Sequence, residues 1–364
     1  MTTCGLLSCA LLPLSLAADE ASTGDKRRIL TDEITPALRL SVSRGFQFLI
    51  KKQSASGAFD STYPVAVNAL VGLAFLAGGY SERSGPKEYT DALKRCTESL
   101  LAHQNADGYF DDGSSRMYGH GFATLFLAEL YGTSGCQNQT VRQALERAIR
   151  VIEGSQCQRS QALEGPRSHF LSGGWDYDPA PRYRGHSSQF GTSDTSITVC
   201  QTMALRAARN LGLAIDPKVV QRARQYIEQA QNPNGGFRYR PQDSVLKEPS
   251  TFPRSAAGVC ILYSLGSYNS DSIKKGFRFL YDNYRFPWSN AFPYYAHYYC
   301  AQAMFQAGGK HWSEYFPWIR KTLLEEQQSD GGWPANLQEN PTQATAMALI
   351  ILQLPYRFLP IHER

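Results

Sequence analysis

A short phrase returns along this chain: Gln, a few small or polar residues, then Gly ahead of an aromatic. It reads Gln53-Ser-Ala-Ser-Gly57-Ala-Phe59 and then Gln104-Asn-Ala-Asp-Gly108-Tyr109-Phe110. It returns as Gly173-Gly174-Trp175, as Gln231-Asn-Pro-Asn-Gly235-Gly236-Phe237, and as Gln328-Ser-Asp-Gly331-Gly332-Trp333. Self-similarity at roughly 45–65 residues marks one supersecondary unit copied along the chain. Such a unit cannot bury its apolar face alone, so neighbours must stack or close on one another. The glycine has a backbone reason, a tight turn without a Cβ. The aromatic is expected to pack across helix ends, and the Gln to bond to nearby backbone.

Each repeat divides into two helical patterns. Ahead of the turn lies an amphipathic segment with charges on one stripe, at about 36–53, 87–104, 139–156, 217–231, 270–283 and 314–328. Beyond the turn lies a segment that is apolar nearly all round, at about 63–78, 117–131, 193–211, 251–265, 292–307 and 341–354. Helices of the second kind are buried. Several of them meet Gly at their ends, as at Gly78-Gly79, Gly212 and Gly308-Gly309, where a left-handed cap is expected. The pattern predicts an all-α fold, an α6/α6 barrel or toroid of six helical hairpins with inner and outer rings. In the fifth repeat Asn283-Tyr-Arg-Phe-Pro287-Trp288 stands in place of the Gly-aromatic phrase. The stretch from Cys157 to Thr192 has no helical period and carries Trp175, Asp176, Tyr177, Asp178, Arg182, Tyr183, Arg184 and His186. A connection of that length is a candidate lid.

Composition narrows the function classes. The net charge of +5 is modest and unclustered, which argues against a nucleic-acid partner. Residues Gly5 to Ala18 form an apolar run ending in small residues, too short to span a bilayer and suited to a secretory signal, although Met1-Thr2-Thr3 supplies no positive charge. The expected organisation is a signal peptide at 1–18, a linker at 19–35, the toroid at 36–355 and a tail at 356–364, with a periplasmic or extracellular destination. Cys4 and Cys9 fall in the presumed signal, leaving Cys96, Cys136, Cys157, Cys200, Cys260 and Cys300. Cys136 and Cys157 bracket a predicted helix that would hold them roughly 25–30 Å apart, too far for a bond to each other. Cys200, Cys260 and Cys300 lie in apolar helices and read as buried thiols.

The Gln-x-x-x-Gly-Gly-Trp phrase in six helical hairpins resembles the repeat of squalene and oxidosqualene cyclases, whose toroid recurs in protein prenyltransferase β-subunits. The resemblance covers about residues 36 to 355. Met117-Tyr118-Gly119-His120-Gly121-Phe122-Ala123-Thr124 and Ser193-Asp194-Thr195-Ser196-Ile197-Thr198 are similar to a secreted bacterial branch of that superfamily without a settled activity. The cyclases of this family raise a strong acid from crowded carboxylates in an Asp-x-Asp-Asp-Thr-Ala pattern. The matching stretch here is Gly191-Thr192-Ser193-Asp194-Thr195-Ser196, which keeps only the last Asp and places Ser193 where the proton donor stands. Asp194 opens an inner helix, so a helix cap and a functional carboxylate are both open readings. The prenyltransferases hold zinc with Asp, Cys and His. His297 and Cys300 share one helix face but lack the rest of that motif, and no metal or cofactor is assigned.

All six inner helices are second halves of hairpins, so their N-termini converge on one mouth, where their dipoles suit anionic or polar groups. Asp194, His120 and His297 are the candidate acids or bases. Tyr63, Tyr118, Trp175, Asp176, Thr195, Arg254, Tyr294, Tyr295 and Gln343 are the candidate ligand-binding residues. The function expected is binding of a small apolar, isoprenoid, lipid-like or peptide ligand in the central cavity without the usual cyclase acid; a protein partner is not specified. The alternative is an enzyme on an isoprenoid or polysaccharide with carboxylate or His groups at the mouth. Hydrolysis of a sugar would need paired carboxylates, which Asp111, Asp112, Asp176, Asp178 and Asp194 could supply.

Overall fold

The structure, a computed structural model, describes residues 32–157, 173–183, 193–240, 249–285, 292–335 and 339–362. The presumed signal peptide, most of the 19–35 linker, Arg184, His186, Thr192, Pro287 and Trp288 lie outside those residues. Twelve α-helices and no strand are present among the described residues. The outer set is α1 (Pro36–Lys52), α3 (Lys87–Leu101), α5 (Gln139–Gly154), α7 (Pro217–Ala230), α9 (Asp271–Asn283) and α11 (Gly309–Glu326). The inner set is α2 (Pro64–Ala77), α4 (Arg116–Thr133), α6 (Thr195–Asn210), α8 (Phe252–Ser264), α10 (Pro293–Ala307) and α12 (Pro341–Gln353).

Each inner helix packs on the next, and α12 returns to α2, closing an all-α toroid; the outer helix α1 likewise sits against α11 and α12. Burial follows the sequence pattern. In α2 every residue from Val67 to Ala77 is buried, whereas α7 buries only Val219, Ala223, Tyr226, Ile227 and Ala230 along one stripe. Four of the six inner helices carry Pro in the first two positions at Pro64, Pro253, Pro293 and Pro341. There the missing N–H costs nothing and the fixed φ starts the helix.

The junction between repeats is one hydrogen-bonded device used five times. The Gln53 side-chain amide donates to Gly57 O of its own turn (3.1 Å) and to Ala92 O of the next outer helix (2.8 Å). Gln104 does the same to Gly108 and Ala144, Gln156 to Gly173 and Val219, and Gln231 to Gly235 and Ser272. Gln327 bonds Gly331 and then Ser41 of α1, which ties the last repeat to the first. The bridging residue of that last phrase is therefore Gln327 and not Gln328, since its amide stands four residues before the glycine as in the other turns. The third repeat has its glutamine too, at Gln156, separated from Gly173 by the intervening loop. Each glycine has a left-handed φ, from +84 at Gly57 to +117 at Gly173, and lies against the backbone of the following outer helix.

The aromatic that follows is fixed at both ends. The indole of Trp175 donates to Ile152 O and that of Trp333 to Leu323 O, so the ring lies across the end of its own outer helix. The backbone N–H of the aromatic, in turn, donates to a side chain near the start of the inner helix: Asn68 for Phe59, His120 for Phe110, Thr198 for Trp175, Ser255 for Phe237 and Thr345 for Trp333.

The two ends of the chain join this packing. Glu33 accepts from the Trp312 indole (2.6 Å), docking the last residues of the expected linker on α11. Residues 354–362 form two 3₁₀ turns against α6 and α10, with Leu359, Ile361 and His362 buried, so the packed structure continues past the boundary expected at 355. Cys96, Cys157, Cys200, Cys260 and Cys300 are buried free thiols and Cys136 is an exposed one. No helix among the described residues is long and apolar enough to cross a membrane.

The junction makes a sharp contrast available. A Cβ on Gly235 would stand 2.3 Å from the Lys275 carbonyl oxygen, whereas one on Gly113, also left-handed at φ +78, would meet nothing within 4 Å. Gly113→Ala is expected to cost about 1–2 kcal/mol, the backbone penalty alone. Gly235→Ala should cost clearly more, because the junction itself must open. Urea unfolding of the two variants beside wild type checks this; equal losses would show that the junction contributes no rigidity.

Candidate functional site

The N-terminal ends of all six inner helices open on one central cavity of about 760 Å³. Its inner part is apolar, with Ala66, Val67 and Leu70 from α2, Phe122 from α4 and Met347 from α12. Its outer part is tyrosine-rich and polar: Tyr63, Tyr118, Tyr177, Tyr239 and Tyr295 share it with Ser114, Ser196, Thr251 and Gln343. Arg116 and Arg254 also line it, whereas no carboxylate among the described residues does.

Of the residues expected to bind a ligand, Tyr63, Tyr118, Arg254, Tyr295 and Gln343 line this cavity. The others stand in its wall. Trp175 is fully buried across the end of α5. Thr195 donates to Arg238 O (2.8 Å), Tyr294 is buried at the start of α10, and Asp176 is buried and accepts from the Tyr177 N–H (2.6 Å). Of the candidate lid, Tyr177 reaches the cavity, while Tyr183 turns away to donate to Arg150 O on α5.

His120 and His297 do not line the cavity. Both rings of this pair belong to one repeat position, four residues into α4 and α10. The Nδ1 of His120 accepts from the Phe110 N–H (3.2 Å) and its Nε2 faces Ala148 O (3.1 Å), where it acts as donor. Burial pushes the ring down to about 4, partly offset by that bond to Ala148, so it is neutral in the fold. The His297 ring meets the Tyr315 hydroxyl (3.0 Å) and packs between Phe252 and Trp318.

Asp194 caps α6, accepting from the Ser196 N–H (2.6 Å). It is fully buried directly behind two cavity tyrosines, whose hydroxyls meet at 2.7 Å. Burial raises its carboxyl to about 6, against the lowering effect of the neighbouring Tyr239 hydroxyl and the Ser196 bond. Two other inner helices, α2 and α10, also spend N-terminal N–H groups on a carboxylate. Asp112 of the second repeat accepts from the Val65 N–H (3.0 Å), and Glu339 accepts from those of Tyr294 and Tyr295 (3.4 and 2.8 Å). Met117 donates to Tyr177 O and Thr195 to Tyr239 O. Carboxylates of the protein thus answer the starts of α2, α6 and α10, and Arg116 and Arg254 bring side-chain charge to the cavity wall.

Arg116 begins α4 with φ +53, and Phe292 caps α10 with φ +59. Left-handed backbone at non-glycine residues is costly and gathers at functional sites. These two both line the cavity, whereas the left-handed Cys136 lies in the turn that closes α4, its N–H donating to Tyr131 O, and Arg357 caps the first 3₁₀ turn. Sequence patterning missed Arg116, Ser114, Tyr239, Phe292 and Met347. The only early sign was their place beside the inner-helix starts. Glu339 was missed as well because its partners lie in the preceding repeat.

No protein-family model matches the sequence, and no curated protein matches it. Solved structures do. Type II terpene cyclase MstE from Scytonema, in complex with geranylgeranyl dihydroxybenzoate as substrate, superposes with a TM-score of 0.52 at 15% identity, covering 89% of this chain and 98% of that one. The GH76A alpha-1,6-mannanase of Salegentibacter sp. HEL1_6 does so with a TM-score of 0.60 at 10% identity, covering 88% and 99%. This chain has the α/α toroid that both of those enzymes have. At such identities the likeness is one of fold.

The environment of His120 sets a pH dependence. Its folded value of about 4 lies below the ordinary 6.5. As pH falls through 6.5 the unfolded chain takes up the proton first, so stability is lost between 6.5 and 4. Asn68 shows that an amide can serve the same repeat position. His120→Asn is therefore expected to fold and to shed an acid-induced loss on the order of 2–3 kcal/mol. Asp194 and Glu339, lifted to about 6 and about 7, pull oppositely in both proteins and cancel in the difference. Denaturant titrations at pH 4.5 and 7.5 check this; parallel pH curves would refute it.

Proposed function

We propose that this chain binds an isoprenoid or other lipid-like molecule in its central cavity. The observation that carries the reading is the grading of the cavity wall, apolar at Leu70, Phe122 and Met347 and polar at the inner-helix starts. An amphiphile would satisfy both halves, since a buried polar head needs partners and an apolar chain does not. The volume of about 760 Å³ suits a ligand with a long chain. Another member of the same fold holds geranylgeranyl dihydroxybenzoate, which supports an apolar chain within a toroid. The apolar run at residues 5–18 supports export to the periplasm or beyond.

The reading does not include alkene protonation. That step calls for a strong acid, whereas Ser193 has no acidic proton to give and a carboxyl raised to about 6 at Asp194 is a weakened acid. Sugar hydrolysis, the activity named for the mannanase, calls for two carboxyls at the scissile bond. Among the described residues, Asp112 holds the start of α2 and Asp178 holds Arg116 (2.6 Å), and no carboxylate lines the cavity. A second reading, turnover of the bound molecule, has one observation in its favour: Asp194 stands behind the paired hydroxyls of Tyr177 and Tyr239. That arrangement fits proton exchange with a ligand hydroxyl or enol.

Mass spectrometry of an organic extract from natively exported protein tests the first reading. A stoichiometric lipid or isoprenoid is expected, and it should vanish in Leu70→Trp, whose indole fills the apolar end. A clean extract, together with no binding of added geranylgeraniol by wild type, would overturn it.

A further inference from the structure

We propose that the end of the toroid opposite the central cavity carries a second site, a groove that takes an acidic segment of a partner protein together with one apolar anchor. What the central cavity holds does not bear on it. The groove has a volume of about 780 Å³ and lies between the outer helices α9 and α11, beyond the last turns of α8 and α10. Among the described residues no side-chain amide bridges α9 to α11, the bridge that every other neighbouring pair of outer helices has. The Tyr281 hydroxyl joins them instead, donating to Glu314. The groove thus stands where the repeat's own junction is missing.

Its floor is aromatic and its rim is cationic. Phe277 stacks on His311 at 5.0 Å, and the rings of Tyr263 and Tyr281 meet that pair edge-on. Burial lowers the His311 ring below its ordinary value, so it adds surface rather than charge. Lys274 and Arg278 stand one turn apart on α9, and Lys310 lies in the first turn of α11. No carboxylate among the described residues lines the groove. Lys274 and Lys310 have exposed partners outside it, Asp271 at 3.5 Å and Glu314 at 3.6 Å, pairs of a kind worth little in water. Arg278 is exposed and makes no ion pair among the described residues.

Shape and charge select the occupant. A bilayer is met by apolar side chains that stand out from a protein, whereas Phe277 is recessed and buried. A nucleic acid calls for a longer cationic track than three side chains. A peptide chain meets both features at once, since its carboxylates accept from the rim while one apolar side chain covers the rings. From Lys274 to Tyr281 the groove follows α9 for about 10 Å, which about three extended residues would span. Arg278 supplies the planar pair of donors that a carboxylate fits.

Selection from a random peptide display library on the purified protein, at low salt, tests this. Wild type is expected to enrich peptides with Asp or Glu on both sides of an aromatic or aliphatic residue. The strongest of them, labelled and titrated as a single peptide, should bind at least about tenfold less tightly to Arg278→Glu and to Lys310→Glu, and less tightly to wild type as salt is added. Both positions are exposed, so urea unfolding of these variants should match wild type. Enrichment of sequences without acidic residues, no enrichment at all, or binding that Arg278→Glu leaves unchanged overturns the proposal. So does tighter, salt-sensitive binding to phosphatidylglycerol vesicles than to any selected peptide, which would make this face a membrane surface.

Discussion

A single side-chain amide at the end of five of the six outer helices holds the ring together. Gln53, Gln104, Gln156, Gln231 and Gln327 each donate one N–H to their own glycine turn and the other to the next outer helix. The oxygen of three of them is taken by an arginine of that next helix, at Arg95, Arg147 and Arg222. A hairpin of two helices has no intrinsic angle to its neighbour. These bonds supply one, because the turn, the amide and the neighbouring backbone must fit within hydrogen-bond distance at once. Once the angle repeats around the ring, the inner helices must point one way, and their starts must gather at one mouth. The cavity is a consequence of the junctions.

That origin explains which parts of the molecule were legible in the sequence. Helix positions were, because outer helices keep one apolar stripe and inner helices none that is polar for long. The phrase at Gly108-Tyr109-Phe110 could be read as a turn because only glycine tolerates its φ of +97 against the Arg147 backbone. The register of the amide was harder. Gln327 and Gln328 stand side by side, and only the four-residue spacing to Gly331 tells which one bridges. Gln156 was hidden by the insertion that follows it. The mouth was legible only in part, since a residue near a helix start can face the axis, as Tyr118 does, or the wall, as His120 does. One step along a helix is about 100° of rotation, more than a pattern of mixed polarity resolves.

The repeat position at His120 shows how a chemical side chain can be explained by architecture. Asn68, His120, Thr198, Ser255 and Thr345 occupy that position and differ in size and chemistry. What they share is an acceptor for the backbone N–H of the aromatic in the turn. A buried N–H left without one would cost free energy comparable to a lost hydrogen bond. Imidazole satisfies that demand only when neutral, and burial keeps it neutral. The sequence motif around His120 thus reflects a scaffold requirement, met here by a residue that elsewhere often does chemistry.

The mouth divides its charges with the same economy. Helix starts that converge would repel one another and attract any anion indiscriminately. Asp112, Asp194 and Glu339 answer three of the six, at α2, α6 and α10, each accepting from backbone N–H. The carboxylates are consumed in this task and turned away from the axis. Among the described residues, side-chain charge reaches the cavity wall at Arg116 and Arg254. The same toroid occurs in a terpene cyclase and in a mannanase, at 15% and 10% identity to this chain, so the ring alone does not set what is bound and the side chains that line it must.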